Sequence, residues 1–469
     1  MKKHSAVLSR LMVTKTSWSQ YKQESVLLIK LAFPILLAQL ALTALGVVDT
    51  IMSGWVGTND LAAIGLGSSI MLPVFMFSTG VLLAITPLVA KSFGENNLNS
   101  ITVYVHQGLW LSLPLGLLSM LVLMDLDWVL NQLSLSPQVF QLTKDYLFYI
   151  AFGLPAIALY QALRFFWEGL GTTLPTMWIS FFALLINIPL NALFIYGYGP
   201  VEGLGAAGCG VASSIVMWLM FFVGVVYVAK SSYTAPFAKF SQLGFPKWRC
   251  GIRDILNLGV PNSFALLFEV SLFSFIALFI AQLGATIIAS HQVAISFTSL
   301  AFMVPLSLAL ALTVRVGNAF GQNSYQHVLV SLKVGLGFAL LLGLFLSMIS
   351  YVFREQIVSV YSRDPEVLIL ASALLVFAAS YQIFDSIQVG CGGALRGLHD
   401  TKVTMVVTFI SYWGVGLGGG YVLAYTDWIL AEPMGVKGFW LGIVLGLLLA
   451  AILLSLRLKH MLKVHFSND

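Results

Sequence analysis

Charge is scarce in this sequence. Only 9% of its 469 residues are Asp, Glu, Lys or Arg, against about 25% in a soluble globular chain. A surface that faces water needs charge and one that faces lipid cannot tolerate it, so the shortfall excludes a water-soluble globular protein. Cysteine is scarce as well. Cys209, Cys250 and Cys391 stand far apart, with neither metal-site spacing nor the density of a disulfide framework, and they read as small apolar filler. No Gly-x-x-x-x-Gly-Lys-Ser/Thr run occurs, which excludes a P-loop nucleotide engine in this chain. The net charge of +5 is small and unevenly spread, so no nucleic-acid partner is expected. Acids, bases and metal ligands do not cluster as an active site requires, so neither enzymatic activity nor a cofactor is expected.

What abounds is apolar: 59% of the residues, with a mean hydropathy of +0.92. A spanning helix takes about 20 apolar residues, which leaves room for about a dozen spans. The apolar runs lie at 26–52, 65–90, 102–124, 147–166, 176–198 and 204–229, then at 256–281, 288–314, 327–352, 367–390, 402–425 and 437–458. Their length and lack of period-two alternation make them helices, and Pro34, Pro155, Pro189, Pro261 and Pro305 are compatible with membrane helices. The first run continues past Asp49 without a cleavage site, so it reads as a retained span and not a signal peptide. The expected fold class is an all-α integral membrane protein with twelve transmembrane helices.

Loop charge sets the expected orientation. One set of alternate segments carries Lys2, Lys3, Arg10, Lys15, Lys22 and Lys30, with Lys91, Arg164, Arg315, Arg396 and the Lys230–Arg253 cluster among others, nineteen basic residues in all. The opposite set carries four: Lys144, Arg354, Arg363 and Lys437. Basic residues are retained in the cytoplasm, so both termini are expected there. That outcome requires an even number of spans.

The two halves repeat. A gapless shift of 227 residues lays Leu31–Asn96 on Leu258–Asn323 and matches Pro34 with Pro261, Gly57 with Gly284, Phe93-Gly94 with Phe320-Gly321, and Asn96 with Asn323. Ala-Leu-Arg also recurs at 162–164 and 394–396. Generic hydrophobicity does not place Pro, Gly and Asn at one offset. Six spans separate equivalent positions, so the halves enter the membrane in the same sense, as parallel repeats about an axis along the membrane normal. The expected organisation is a segment 1–25, an N-lobe 26–229, a linker 230–255, a C-lobe 256–458 and a tail 459–469. Rocking two such bundles gives alternating access to a cleft between them.

Of nineteen acidic residues, three lie inside apolar runs: Asp49, Glu269 and Asp385. A charge near the bilayer centre costs about 2.5–3.5 kcal/mol on insertion scales, so it faces a cavity or a partner. No basic residue stands at matching depth, which leaves these acids to take a proton or a cation. Tyr381, Asp385 and Gln388 share one face of the tenth span, where a phenol, a carboxylate and an amide offer hard oxygen ligands. Asn187 and Asn191 share a face of the fifth span across Pro189; pairing of helices is the bland account of them. His291 and Gln292 stand in the eighth span, where the histidine is a proton carrier or a structural residue. His106 is expected at the membrane interface.

Four stretches carry a resemblance: Gly46-Val-Val-Asp-Thr-Ile-Met-Ser-Gly; Gln161-Ala-Leu-Arg through Leu185-Ile-Asn-Ile-Pro-Leu-Asn; Gly259-Val-Pro with Phe268-Glu-Val-Ser-Leu-Phe, Ala289-Ser-His-Gln-Val-Ala and Val314-Arg-Val-Gly; and Tyr381-Gln-Ile-Phe-Asp-Ser-Ile-Gln with Ala394-Leu-Arg-Gly. In order over nearly the whole chain, they resemble the multidrug and toxic-compound extrusion family, in its NorM-type branch. The resemblance implies two six-helix lobes and export of organic cations against sodium or protons. It places family carboxylates on Asp49, Glu269 and Asp385, a cation-site neighbour on Tyr381, and an N-lobe polar pair on Asn187 and Asn191. Ser296 stands where the branch often has Asn, a departure beside the expected cleft residues Gln292, Ser296 and Gln388.

The expected function is therefore cation-coupled antiport of amphipathic organic cations, with no ATPase subunit required. Glu269, Asp385 and Tyr381 form the expected cation site, sodium slightly favoured over protons. Spans seven and ten share a bundle, and a sodium ion relieves the repulsion of two carboxylates as a proton does. Asp49, Asn187 and Asn191 form a separate N-lobe site. A lipid-linked oligosaccharide flippase is the alternative, and it calls for a strongly cationic cleft.

Overall fold

The computed structural model describes residues 18–132, 135–239, 244–428 and 432–466, the side chains of 201, 250, 281 and 466 excepted. Lys2, Lys3, Arg10, Lys15, the Cys250 side chain and parts of the expected linker and tail lie outside the described residues.

The apolar runs are helices. They are α1 (Trp18–Gly54), α2 (Thr58–Gly94), α3 (Leu98–Met124), α4 (Pro137–Ala151 with Leu154–Gly169), α5 (Leu174–Tyr196) and α6 (Ala206–Lys230). In the second half they are α7 (Arg253–Ile280), α8 (Ala285–Gly321), α9 (Tyr325–Val352), α10 (Pro365–Gly397), α11 (Thr401–Tyr425) and α12 (Val436–His465). α4 bends by 45° at residues 152–153, because Pro155 has no N–H to return to the preceding turn and Gly153 tolerates the break. Most helices outrun their apolar runs. α1 begins at Trp18, inside the segment expected to precede the first span, and α12 continues through most of the expected tail.

The pairing of helices is the same in both halves. α1 packs on α5, α2 and α3 on α4, and α4 and α5 on α6; α7 packs on α11, α8 and α9 on α10, and α10 and α11 on α12. Two homologous six-helix lobes result. Across the seam between them α1 packs on α8 and α7 on α2, again a repeat-related pair.

The seam is built at one end of the bundle, the end that carries Lys91, Arg253 and Arg315. A Cβ on Gly94 would collide with the Asn318 carbonyl, and one on Gly321 with the Lys91 carbonyl. Gly94 and Gly321 are related by the 227-residue shift, and so are Lys91 and Asn318. Only glycine lets these backbones cross so closely, and the duplicated contact marks the symmetry axis. Beside it, Glu24 of α1 accepts from Nε and Nη2 of Arg315 in α8, at 2.8 and 2.5 Å, and from the Ser331 hydroxyl at 2.7 Å. Asn262 and Ser263 of α7 donate to the Gly80 and Phe77 carbonyls of α2, each at 2.9 Å. These contacts join the two lobes at the basic end.

Two expectations are corrected here. Glu24 and Glu168, counted among acids at span ends, are buried: Glu168 accepts from Arg164 Nε at 2.8 Å and Glu24 holds Arg315. Both arginines, read as loop charges, stand inside helices, since opposite charges close together offset much of each other's burial cost. His106 is buried, with Nε2 2.5 Å from the Ala238 carbonyl of the linker.

Candidate functional sites in the two lobes

In the N-lobe, three helices converge on Asp49. α5 brings Asn191, whose Nδ2 donates to Asp49 Oδ1 at 2.6 Å and to Asn187 Oδ1 at 2.9 Å. One turn separates the two asparagines, and the helix relaxes after Pro189 into a π-helical turn at Ala192–Tyr196, a feature frequent at functional sites. α6 brings Ser213, whose hydroxyl donates to Asp49 Oδ2 at 3.0 Å, and Cys209 beside the same carboxylate. Asn187 and Asn191 are buried, and Asn191 Oδ1 is enclosed without a hydrogen-bond partner. The pair therefore serves a carboxylate and not helix pairing alone. Cys209 is part of a polar pocket, which corrects its reading as filler; Cys391 is buried, its thiol 3.5 Å from the Ser455 hydroxyl.

In the C-lobe, α10 presents Tyr381, Asp385 and Gln388 from one buried face, and Gln388 Nε2 donates to Asp385 Oδ1 at 3.2 Å. α7 brings Glu269 into the field of Asp385. Tyr381 also faces Asp385 and packs its ring 6.1 Å from Trp440. α11 adds Tyr412, which is buried and lies close to Glu269, Asp385 and Gln388. It stands in a π-helical stretch, Phe409–Gly419, held against α12 by close approaches of Gly442 and Gly446 to α11 backbone. The cluster offers two carboxylates, two phenols and an amide, all hard oxygen donors suited to a small cation.

Other expected residues stand apart. Ser296 donates to the Gln292 carbonyl within α8 at 2.8 Å, and Gln292 is exposed; neither makes a side-chain bond to the cluster among the described residues. His291 accepts from Trp440 Nε1 at 3.2 Å and is buried, which is the structural alternative for it. Sequence reasoning missed Tyr412, which no acidic or amide neighbour flags, and Ser213, whose i, i+4 spacing from Cys209 on one helical face was a usable signal. It also placed Arg396 outside the membrane with no cation near the acids. Arg396 lies in the last turn of α10, and its charge acts on Glu269.

Aromatic rings stand beside Glu269. Phe268 meets Phe409 and Trp413 at 5.0 and 6.2 Å, Phe275 meets Trp413 at 5.2 Å, and Trp413 Nε1 donates to Ser271 at 3.1 Å. Such faces hold lipophilic cations by stacking and cation–π contact.

A duplicated membrane-spanning bundle with a lone carboxylate inside one lobe and a pair inside the other is the arrangement of an integral-membrane transporter. The comparisons with known proteins agree. The MatE family model matches residues 34–193 and 261–422, two segments whose starts are 227 residues apart, the shift of the internal repeat. A probable multidrug resistance protein NorM from Shewanella oneidensis is 44% identical over 442 residues, covering 94% of this chain and 96% of that protein. A multidrug resistance protein MdtK from Yersinia pseudotuberculosis is 42% identical over 445 residues, covering 95% and 97%. Among solved structures, an outward-facing multidrug resistance MATE family transporter of the MOP superfamily superposes with a TM-score of 0.86 at 19% identity, covering 97% of this chain and all of that one. The chain belongs to the MatE family, in its NorM-type branch.

Proposed function

We propose that this protein exports amphipathic organic cations from a bacterial cell by antiport against a small cation, sodium slightly ahead of protons. The observation that carries the reading is the convergence of Glu269 and Asp385 with Tyr381, Tyr412 and Gln388 inside one lobe. Two neighbouring carboxylates, of which Asp385 alone receives the Gln388 amide, favour a bound monovalent cation, which lowers their repulsion. The N-lobe carboxylate, already holding neutral donors, takes a separate part in drug handling or proton linkage. The names of the NorM and MdtK relatives support multidrug resistance as the biological setting. The excess of basic residues at the end where the lobes are joined supports an inner-membrane orientation with both termini in the cytoplasm. A lipid-linked oligosaccharide flippase fits less well, because the charges at mid-span are acidic.

The deciding experiment is efflux of a cationic dye from proteoliposomes under a sodium gradient and a pH gradient, each imposed alone. Sodium-driven efflux that weakens at acid pH supports the reading. Efflux indifferent to both gradients, or transport only of a lipid-linked sugar, would overturn it.

A further inference from the structure

The two Ala-Leu-Arg repeats end differently. In the N-lobe, Arg164 finds its counter-charge four residues on, with Nε donating to Glu168 Oε1 at 2.8 Å, both side chains almost wholly buried. The C-lobe has an acid at the same spacing, Asp400, but it is taken by Arg457, whose Nε lies 2.6 Å from Asp400 Oδ2. Arg396 is left with no carboxylate in contact among the described residues. Its Nε donates to the Asn262 side-chain oxygen at 3.0 Å, and its Nη1 is enclosed without a partner. Asn262 in turn donates through Nδ2 to the Gly80 carbonyl of α2 at 2.9 Å, across the lobe seam. Seven residues along α7 from Asn262, two helical turns and so on the same face, stands Glu269.

We infer that Arg396 is the internal counter-charge of the Glu269–Asp385 pair, and that through Asn262 it ties the charge of that site to the seam between the lobes. The inference rests on the cation-site reading above and goes beyond it. With both acids ionised, Arg396 brings the local charge to −1, so that one monovalent cation completes neutrality. Binding that cation weakens the pull of Glu269 on the guanidinium, and the guanidinium is a link in the Arg396–Asn262–Gly80 chain that holds α7 to α2. Arg396 is a positioning residue: it acts on the cation through the acids. The N-lobe cannot act in this way, since Arg164 is neutralised by Glu168 before it can influence Asp49.

Arg396 is held at Asn262, and the seven residues of α7 from there to Glu269 span about 10 Å, which sets the scale for the separation of the charges. At that separation and an effective dielectric of about 20, removing the unit charge strengthens binding of a monovalent cation by about tenfold. The test is binding of radiolabelled sodium and dye exchange in nanodiscs or proteoliposomes for wild type, Arg396→Gln, Arg396→Lys and Asn262→Leu. Arg396→Gln should bind sodium about tenfold more tightly and exchange more slowly. Arg396→Lys should stay within about twofold of wild-type affinity, and Asn262→Leu should slow exchange at unchanged affinity. Equal sodium affinity in wild type and Arg396→Gln would overturn the inference, because a purely structural arginine leaves affinity alone. A second readout needs no sodium: the melting temperatures of Glu269→Gln, Arg396→Gln and the double variant. The double variant should lose clearly less than the sum of the single losses, and strict additivity would also overturn the inference. Wild type that binds no sodium would defeat the coupling reading of the preceding section, while the additivity test would still decide the charge pairing.

Discussion

The two lobes share a helix plan and differ in how they treat an acid inside the membrane. In the N-lobe a single carboxylate, Asp49, receives neutral donors from Asn191 and Ser213 at 2.6 and 3.0 Å. In the C-lobe two carboxylates stand in one cluster, and Gln388 donates to one of them, Asp385, at 3.2 Å. Neutral donors can satisfy a lone charge without an ion. They cannot remove the repulsion between two charges, and a cation or proton can. Duplication supplied two similar scaffolds with an acid on α1 and another on α7, and a second acid on α10, Asp385, makes the C-lobe a candidate ion site.

The largest expected effect separates these sites directly. Asp385→Asn should lower sodium-driven dye efflux at least about tenfold and abolish sodium binding, a loss of more than about 1.4 kcal/mol. Asp49→Asn should impair efflux while sodium binding to the C-lobe persists. Binding assays on both purified variants check this, and the opposite pattern would reverse the roles of the lobes.

The seam offers the next contrast. Glu24 of α1 holds Arg315 and Ser331. The 227-residue shift lays Glu24 on Gly251, and the acid nearest that place in α7, Asp254, accepts a long 3.4 Å bond from Tyr104, the residue that the shift lays on Ser331. Glu24→Gln leaves Arg315 largely buried without its charge partner, an expected loss of about 3–5 kcal/mol. Asp254→Asn should cost less than about 1 kcal/mol. Thermal unfolding in detergent reads both, and labelling of a cysteine placed at the basic end should speed up in Glu24→Gln alone. Equal losses would mean that the seam does not depend on the ionic side.

A smaller effect is expected from Asn191→Leu. Removing the 2.6 Å donor to Asp49 leaves Ser213 and Cys209 in place, so efflux should fall several-fold without loss of the fold, at a cost of about 1–3 kcal/mol. Circular dichroism and dye efflux on the same sample separate the two quantities. Loss of sodium binding in this variant would show that the lobes are not independent.

The sequence was legible where physics leaves little choice. Period, length and charge asymmetry produced twelve helices, and one constant offset produced two lobes. Acids inside apolar runs are costly enough to stand out, so Asp49, Glu269 and Asp385 were visible, and Asn187 and Asn191 could be placed on one face. Tyr412 was not visible, because a tyrosine in an apolar run is ordinary and only the π-helical path of α11 turns it toward the acids. Arg396, Glu24 and Glu168 were misplaced for a different reason. Hydropathy assigns a charge near a helix end to water, whereas here the ends are packed against one another and the charges are paired or enclosed.

The smallest expected effect concerns the connectors that follow the two arginines. In the N-lobe the connector keeps to its own lobe, and Thr172 donates its hydroxyl to the Trp167 carbonyl at 2.8 Å. In the C-lobe it crosses the seam: His399, between α10 and α11, has Nε2 3.2 Å from the Pro87 carbonyl of α2. Burial lowers its pKa to about 4, with nearby Lys91 acting in the same direction and the Pro87 carbonyl opposing. An unfolded histidine titrates near about 6.5. Between those values the unfolded chain binds the proton and the folded chain does not, so stability falls as pH drops from about 6.5 towards 4. His399→Gln keeps an amide donor for Pro87 and removes the titration. Its melting temperature should lie slightly below wild type at pH 7.5 and draw level with or pass it near pH 5. Parallel melting curves across that range would mean that His399 takes up its proton as readily in the folded state, and that the C-lobe connector is no more sensitive to acid than its N-lobe counterpart.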